Sequence, residues 1–177
     1  MKKLLIVESP SKIPTISKFL GKDFTIMSTL GHIKDLPTKK LGVTITGTLE
    51  DGNIEVIYVP LEKKDKLIKE LVKAASKVDE VYLAPDPDRE GEIIAWHVEQ
   101  EILKVISAEH IHRISFNEIT KPAVLAGIAN QTQVDMNKVN AQQARRILDR
   151  WVGMKFLQFY GKKLPKVFQL VECNLLH

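Results

Sequence analysis

Glu80-Val81-Tyr82-Leu83-Ala84 is followed by Pro85-Asp86-Pro87-Asp88-Arg89-Glu90-Gly91-Glu92. The first five residues predict an apolar strand. From Glu90 to about Ile106 the spacing predicts a helix, with Ile93, Ile94, Trp96, Val98, Ile102 and Val105 largely buried. An apolar strand that enters a helix through an acidic turn is one unit of an α/β fold. In such sheets, ligands bind beyond the carboxyl ends of the strands.

The flanking sequence repeats this alternation. Leu4-Leu5-Ile6-Val7 is a continuous apolar run of strand length, as expected of a strand covered on both faces. Glu8-Ser9-Pro10-Ser11 breaks it, and a helix is predicted from Ile13 to Leu20, with Pro14 in its first turn. Phe24–Ser28 predicts a second strand. Thr29-Leu30-Gly31-His32 turns into a long irregular stretch reaching Gly52. Residues 54–59 alternate as an edge strand would. Residues 62–77 have helical apolar spacing with lysines opposite. Ile111–Phe116 predicts a strand, and Thr120 caps a helix over 121–128 that carries Pro122 near its start. A long helical segment follows from Val139 to about Phe159, with a possible break at Gly153. The expected fold is α/β: a mostly parallel sheet flanked by helices over residues 1–130. Residues 131–177 are expected to begin a second, helical domain.

The 177 residues are 44% hydrophobic and 27% charged, with a net charge of +4. That composition excludes disordered and fibrous classes. No apolar run reaches the roughly 18 residues of a membrane span, and the amino terminus lacks the apolar core of a secretion signal. The single Cys173 cannot form an internal disulfide. The reading is a reducing, cytoplasmic protein. A mild positive charge is compatible with nucleic acid but does not select it.

Asp86 and Asp88 are two residues apart, so on an extended backbone they point the same way. Glu90 opens the next helix and can turn toward the same point. Three converging carboxylates repel one another unless a cation joins them. Hard oxygens of this kind suit Mg²⁺, which keeps waters and phosphate oxygens as further ligands. The competing reading is an acidic turn whose charges only favour the helix dipole. Glu8, after the first strand and near Lys12, could serve as general acid or base toward a phosphate ester, or simply be a solvated strand end. No GxxxxGK[ST] or GxGxxG motif is present, which argues against Walker-type ATPases and dinucleotide folds. His110 and His112 are expected to be neighbours across a strand, and Trp96 and Trp151 to anchor the core.

Glu8 in LLIVESPSK with Asp86, Asp88 and Glu90 in DPDREGE resembles the Toprim signature. IVESPSK, STLGHIKDLP (28–37), DPDREGEIIAWH (86–97), RISFNEIT (113–120) and VNAQQARRILDRWVG (139–153) together resemble the bacterial type IA DNA topoisomerases, in that family's order. The resemblance implies an enzyme that relaxes negatively supercoiled DNA with Mg²⁺ and without ATP, by cleaving one strand through a tyrosine, passing the other strand and resealing. It implies Glu8 as general acid/base and metal ligand, and Asp86, Asp88 and Glu90 as the metal triad. Lys12 would neutralise the phosphate or help protonate the leaving oxygen, and His32 would approach the DNA. In the helix after residue 138, spacing puts Arg145 within ion-pair reach of Asp149, and Arg146 and Arg150 on one face. The resemblance makes Arg145, Arg146, Asp149 and Arg150 part of a single-strand DNA groove. It also implies that the enzyme acts in the bacterial cytoplasm at the nucleoid.

The likeness stops after Gly153, and the tail from about 154 diverges. Tyr58, Tyr82 and Tyr160 lack the nucleophile's context, so no nucleophile is assigned. The expectation is a Toprim fragment without its partner domains, left by cloning, a shifted frame or a truncated gene. Such a fragment is expected to be inactive alone and to bind metal weakly without DNA. Phe156, Phe159 and Phe168 are expected to have lost their covering domain. The alternative is a stand-alone Toprim nucleic-acid-binding protein or nuclease.

Overall fold

A computed structural model describes residues 1–38, 40, 42–46 and 53–160, with side chains omitted at 45, 46, 53, 54 and 154–160. The expectations for the tail beyond residue 160, for Gly47 and Gly52, and for the side chains of Phe156, Phe159 and Tyr160 lie outside these residues.

Strand β1 (Lys3–Val7) leads through a 3-10 turn (Pro10–Lys12) into the short helix α1 (Ile13–Ile16), followed by β2 (Phe24–Ser28), β3 (Lys34–Asp35), β4 (Val43–Thr46), β5 (Asn53–Val56) and β6 (Val59–Pro60). Helix α2 (Asp65–Ala75), β7 (Glu80–Ala84), α3 (Arg89–Ile102), β8 (Ile111–Arg113), α4 (Lys121–Ala129) and α5 (Met136–Tyr160) follow among the described residues. The order β2-β1-β7-β8 forms a four-stranded sheet whose neighbours are all parallel. The α/β fold expected from the alternation is therefore present.

The continuous apolar runs of β1 and β7 are explained by the two faces they cover. Leu4, Ile6, Val81, Leu83 and Ile111 pack on one face with α2 and α3. Leu5, Val7, Tyr82 and Ala84 pack on the other with Ile16 and Val124. Alternate side chains of a strand point to opposite faces, so a strand with no polar side serves both layers.

Several expected boundaries move. Helix α1 ends at Ile16, four residues early, where the Ser17 hydroxyl donates to the Ile13 carbonyl at 2.8 Å. The stretch from residue 29 is not wholly irregular. β3 pairs antiparallel with β6, and β4 with β5. The β-branched run Val43-Thr44-Ile45-Thr46 suits a ladder. The backbone of α5 continues through Gly153 without a break. Trp96 is only half-buried and Val105 is 42% exposed. Trp151 is 49% exposed, so it is not the core anchor expected of it.

Two further features frame the sheet. At its edge, a groove of about 520 Å³ lies between β2 and α2, ringed by Lys2, Lys22, Lys73 and Lys77 with Asp23 and Glu70. Among the described residues, no helix is long and apolar enough to cross a membrane.

Candidate active site

β1 and β7 are adjacent and parallel, with Val7 opposite Ala84. The next residues are Glu8 on one strand, and Pro85 then Asp86 on the other. The first and second acidic features of the sequence thus leave the sheet side by side at its carboxyl rim. The 3-10 turn after Glu8, capped by Ser9, brings Lys12 to the same rim, where its ammonium pairs with the Asp86 carboxylate.

Asp88 caps α3. Its backbone is extended and its Oδ1 accepts the Gly91 N–H at 2.6 Å. Glu90 follows in the first turn, exposed to solvent. Gly91 is required by close approach, since a Cβ there would stand 2.0 Å from the Asp86 carbonyl oxygen. The structure therefore places Glu8, Lys12, Asp86, Asp88 and Glu90 at one rim. It does not close the acids into a cage. Among the described residues, no group of three or more His, Cys, Asp or Glu side chains is spaced to hold a metal ion. Asp86 is occupied by an internal cation and Asp88 by an amide. The donor set still fits a hard divalent ion, because all of it is carboxylate oxygen and its four members are exposed or half-buried acids on two short connections.

The turn after β2 sits beside Glu8. The Gly31 N–H donates to the Glu8 carbonyl at 3.3 Å, and the Lys64 ammonium donates to the Thr29 and Leu30 carbonyls at 3.0 and 2.8 Å. Leu30, at φ 56°, is a non-glycine residue in the left-handed region, 55% exposed. His32 and Glu90 both line a small cavity of about 30 Å³ under α5, together with Asp35, Tyr58, His97 and Arg146. Both His97 ring nitrogens and the Tyr58 hydroxyl are buried there without a hydrogen-bond partner. Burial pushes the Tyr58 phenol up to about 12, with the Asp35 charge adding to the effect. That is the reverse of what an attacking oxygen needs.

Helix α5 is fastened over β3. Arg146 Nε donates to Asp35 Oδ1 at 3.0 Å and its terminal nitrogen pairs with Oδ2, while Arg150 donates to the Pro37 carbonyl at 2.8 Å. The shared face expected of Arg146 and Arg150 is present. Arg145 and Asp149 stand 3.8 Å apart, both largely exposed. Burial works to raise the Asp35 carboxyl, yet the Arg146 hydrogen bond and charge, with the Leu36 N–H, hold it below the usual range. The Asp35 hydrogen bond raises Arg146 in turn; burial opposes this, and the charges of Asp149 and Glu90 add to it.

His110, just before β8, and His112, within it, both bind Glu80, His110 at 3.2 Å and His112 more closely. They are cross-strand partners of a carboxylate, in keeping with the sequence expectation.

Two residues at the rim escaped sequence reasoning. Arg113 and Glu92 are 3% exposed and form a buried pair at 3.1 Å directly behind the acidic turn. The signal was available: Arg113 is in phase with buried Ile111 on its strand.

The family model for the Toprim domain matches residues 3–119. DNA topoisomerase 1 of Rickettsia felis and that of Rickettsia prowazekii are each 48% identical to the chain over 166 residues, 92% of this chain and 21% of theirs. The full-length topoisomerase I structure from Thermotoga maritima superposes with a TM-score of 0.72 at 39% identity, covering 84% of this chain and 24% of that one. The chain thus spans about a fifth of the length of the curated relatives it matches. Toprim domains bind metal. With the parallel sheet and its acidic carboxyl rim in place, the match over two-thirds of its length settles the family: the chain belongs to the Toprim domain family.

Proposed function

We propose that this chain supplies the acidic, cation-dependent part of a type IA DNA topoisomerase, which relaxes negatively supercoiled DNA by ATP-independent single-strand cleavage, passage and religation in the bacterial cytoplasm. The observation that carries this reading is the shared rim of Glu8, Lys12 and Asp86 on two adjacent parallel strands.

A scissile phosphate placed there meets a carboxylate and an ammonium together. Glu8 transfers the proton that cleavage and resealing require. Lys12 neutralises a phosphate oxygen once it turns from Asp86. Asp86, Asp88 and Glu90, with Glu8, would hold Mg²⁺, which when bound supplies positive charge beside the phosphate. Arg145, Arg146 and Arg150 line the single strand, Asp149 orients Arg145, and His32 faces the DNA from the turn after β2. The attacking tyrosine belongs, on this reading, to parts of the enzyme outside these 177 residues.

The chain, substituted for the matching segment of the Rickettsia felis enzyme, is expected to support Mg²⁺-dependent relaxation of plasmid DNA, lost in Asp88→Ala. A folded chimera that binds single-stranded DNA yet leaves supercoils intact sinks the proposal. The chain alone is expected to leave plasmid unchanged. Mg²⁺-dependent degradation by it, abolished by Asp88→Ala, points to the nuclease instead.

A further inference from the structure

Arg113 ends β8 with its guanidinium enclosed. One terminal nitrogen donates to the carbonyls of Leu83 at 3.2 Å, Pro85 at 2.9 Å and Ile114 at 2.6 Å; the other donates to the Asp86 carbonyl at 3.0 Å. Nε donates to Glu92 Oε2 at 3.1 Å. Three of these acceptors are the main chain that leaves β7 and carries Asp86. The Asp86 carbonyl is also abutted by Gly91. Its backbone is therefore held from two sides, while its side chain stays half-exposed and can exchange Lys12 for another cation.

Glu92 turns its second oxygen the other way. Oε1 accepts the Asp135 N–H at 2.8 Å, and Asp135 Oδ1 accepts the Asn137 N–H at 2.9 Å at the start of α5. Four hydrogen-bonded steps, through Asp135, Glu92 and Arg113, thus join the first turn of the arginine-bearing helix to the Asp86 carbonyl. A buried ion pair is a poor fastener on energetic grounds alone, because desolvating both charges offsets most of their attraction. Apolar side chains of similar volume would hold β8 against α3 as well. What they could not do is fix four carbonyl oxygens in one geometry, which needs the planar donor fork of an arginine, and accept the Asp135 N–H, which needs the Glu92 carboxylate.

We propose that Arg113 and Glu92 are positioning residues that set the geometry of the acidic turn for a divalent cation and tie it to the seat of α5. This inference rests on the reading of the rim given above. Outer partners of metal-binding carboxylates typically alter metal affinity while leaving the ligands themselves in place. Because the tie is reciprocal, a strand that shifts α5 changes cation affinity at the rim by the same factor as the cation changes affinity for the strand.

The test uses this chain with a saturating single-stranded oligonucleotide and Mn²⁺ as the paramagnetic probe. The readout is the Mn²⁺ midpoint for broadening of the backbone amides of Asp86 and of residues 88–91. Oligonucleotide affinity is read by anisotropy and folding by a thermal melt. Glu92→Gln and Arg113→Lys are expected to raise the midpoint by about tenfold or more, with oligonucleotide affinity in the absence of divalent cation nearly unchanged. Asp135→Pro, which deletes the N–H given to Glu92, is expected to raise it above that of Asp135→Ala, which loses only the cap. If Glu92→Gln and Arg113→Lys fold and keep the wild-type midpoint while Asp88→Ala loses it, the coupling is wrong and the rim stands. If the core variants do not fold, equal midpoints for Asp135→Pro and Asp135→Ala overturn it. A wild-type rim that Mn²⁺ leaves unbroadened overturns both coupling and rim.

Discussion

His97 is 2% exposed on α3, and burial pushes its imidazole down to about 3, helped by Lys34 and His32 and opposed by Asp35 and Glu101. The unfolded chain takes up a proton below the ordinary value of 6.5, whereas the folded chain resists until about 3. Stability therefore falls as pH drops through that window. The expected slope from this group approaches about 1.4 kcal/mol per pH unit. Urea unfolding at a series of pH values measures it, and His97→Leu should flatten the curve below 6.5. The acids of the DPDREGE turn were legible because carboxylates clustered after a strand are chemically conspicuous. His97, Glu92 and Arg113 were not, since a polar letter in an apolar run does not say whether its side chain turns inward. For Arg113 the two-residue phase with Ile111 held the answer.

Helix α5 is held by contacts along the stretch from Val139 to Arg150. Val139 is fully buried against the core, Arg146 reaches Asp35 in β3 and Arg150 the Pro37 carbonyl after it, while Leu148 and Val152, on the same stretch of helix, are 59% and 58% exposed. The Asp35–Arg146 contact is half-exposed, so it adds only about 0.5 kcal/mol to stability. Its larger effect is on binding, because Asp35 occupies the guanidinium that a phosphate would take. Asp35→Ala should leave the melting temperature nearly unchanged and tighten single-stranded oligonucleotide binding. Arg146→Ala should weaken binding and reduce the slope of log K against log salt by about 0.7, the single-strand value for one lost phosphate contact. Anisotropy titrations across salt concentrations separate the two. The helix itself was visible in the sequence, as was the shared face of Arg146 and Arg150. Its partner was not, because Asp35 lies 111 positions away and no local spacing encodes such a contact.

At the scale of the molecule, the alternation of strands and helices was enough to give the layered architecture. β2 and β7 have the predicted bounds and β1 begins one residue earlier, because runs of four or five apolar residues bounded by polar turns admit little else. The pairing of β3 with β6 was illegible, since two residues on each side carry no periodicity. Leu4 and Leu5 are adjacent in sequence but serve opposite layers, and both are fully buried. Leu4→Ala and Leu5→Ala should each cost about 2–5 kcal/mol in chemical denaturation. A sheet covered on one face only would make one of them nearly silent. Among the described residues, the same sheet stops at β2, where a row of main-chain donors and acceptors has no neighbouring strand. The four lysines around the adjoining groove stand guard over that unfinished border. A second copy of the chain, approaching with the same lysines, is turned away by like charge before its own β2 can complete the row.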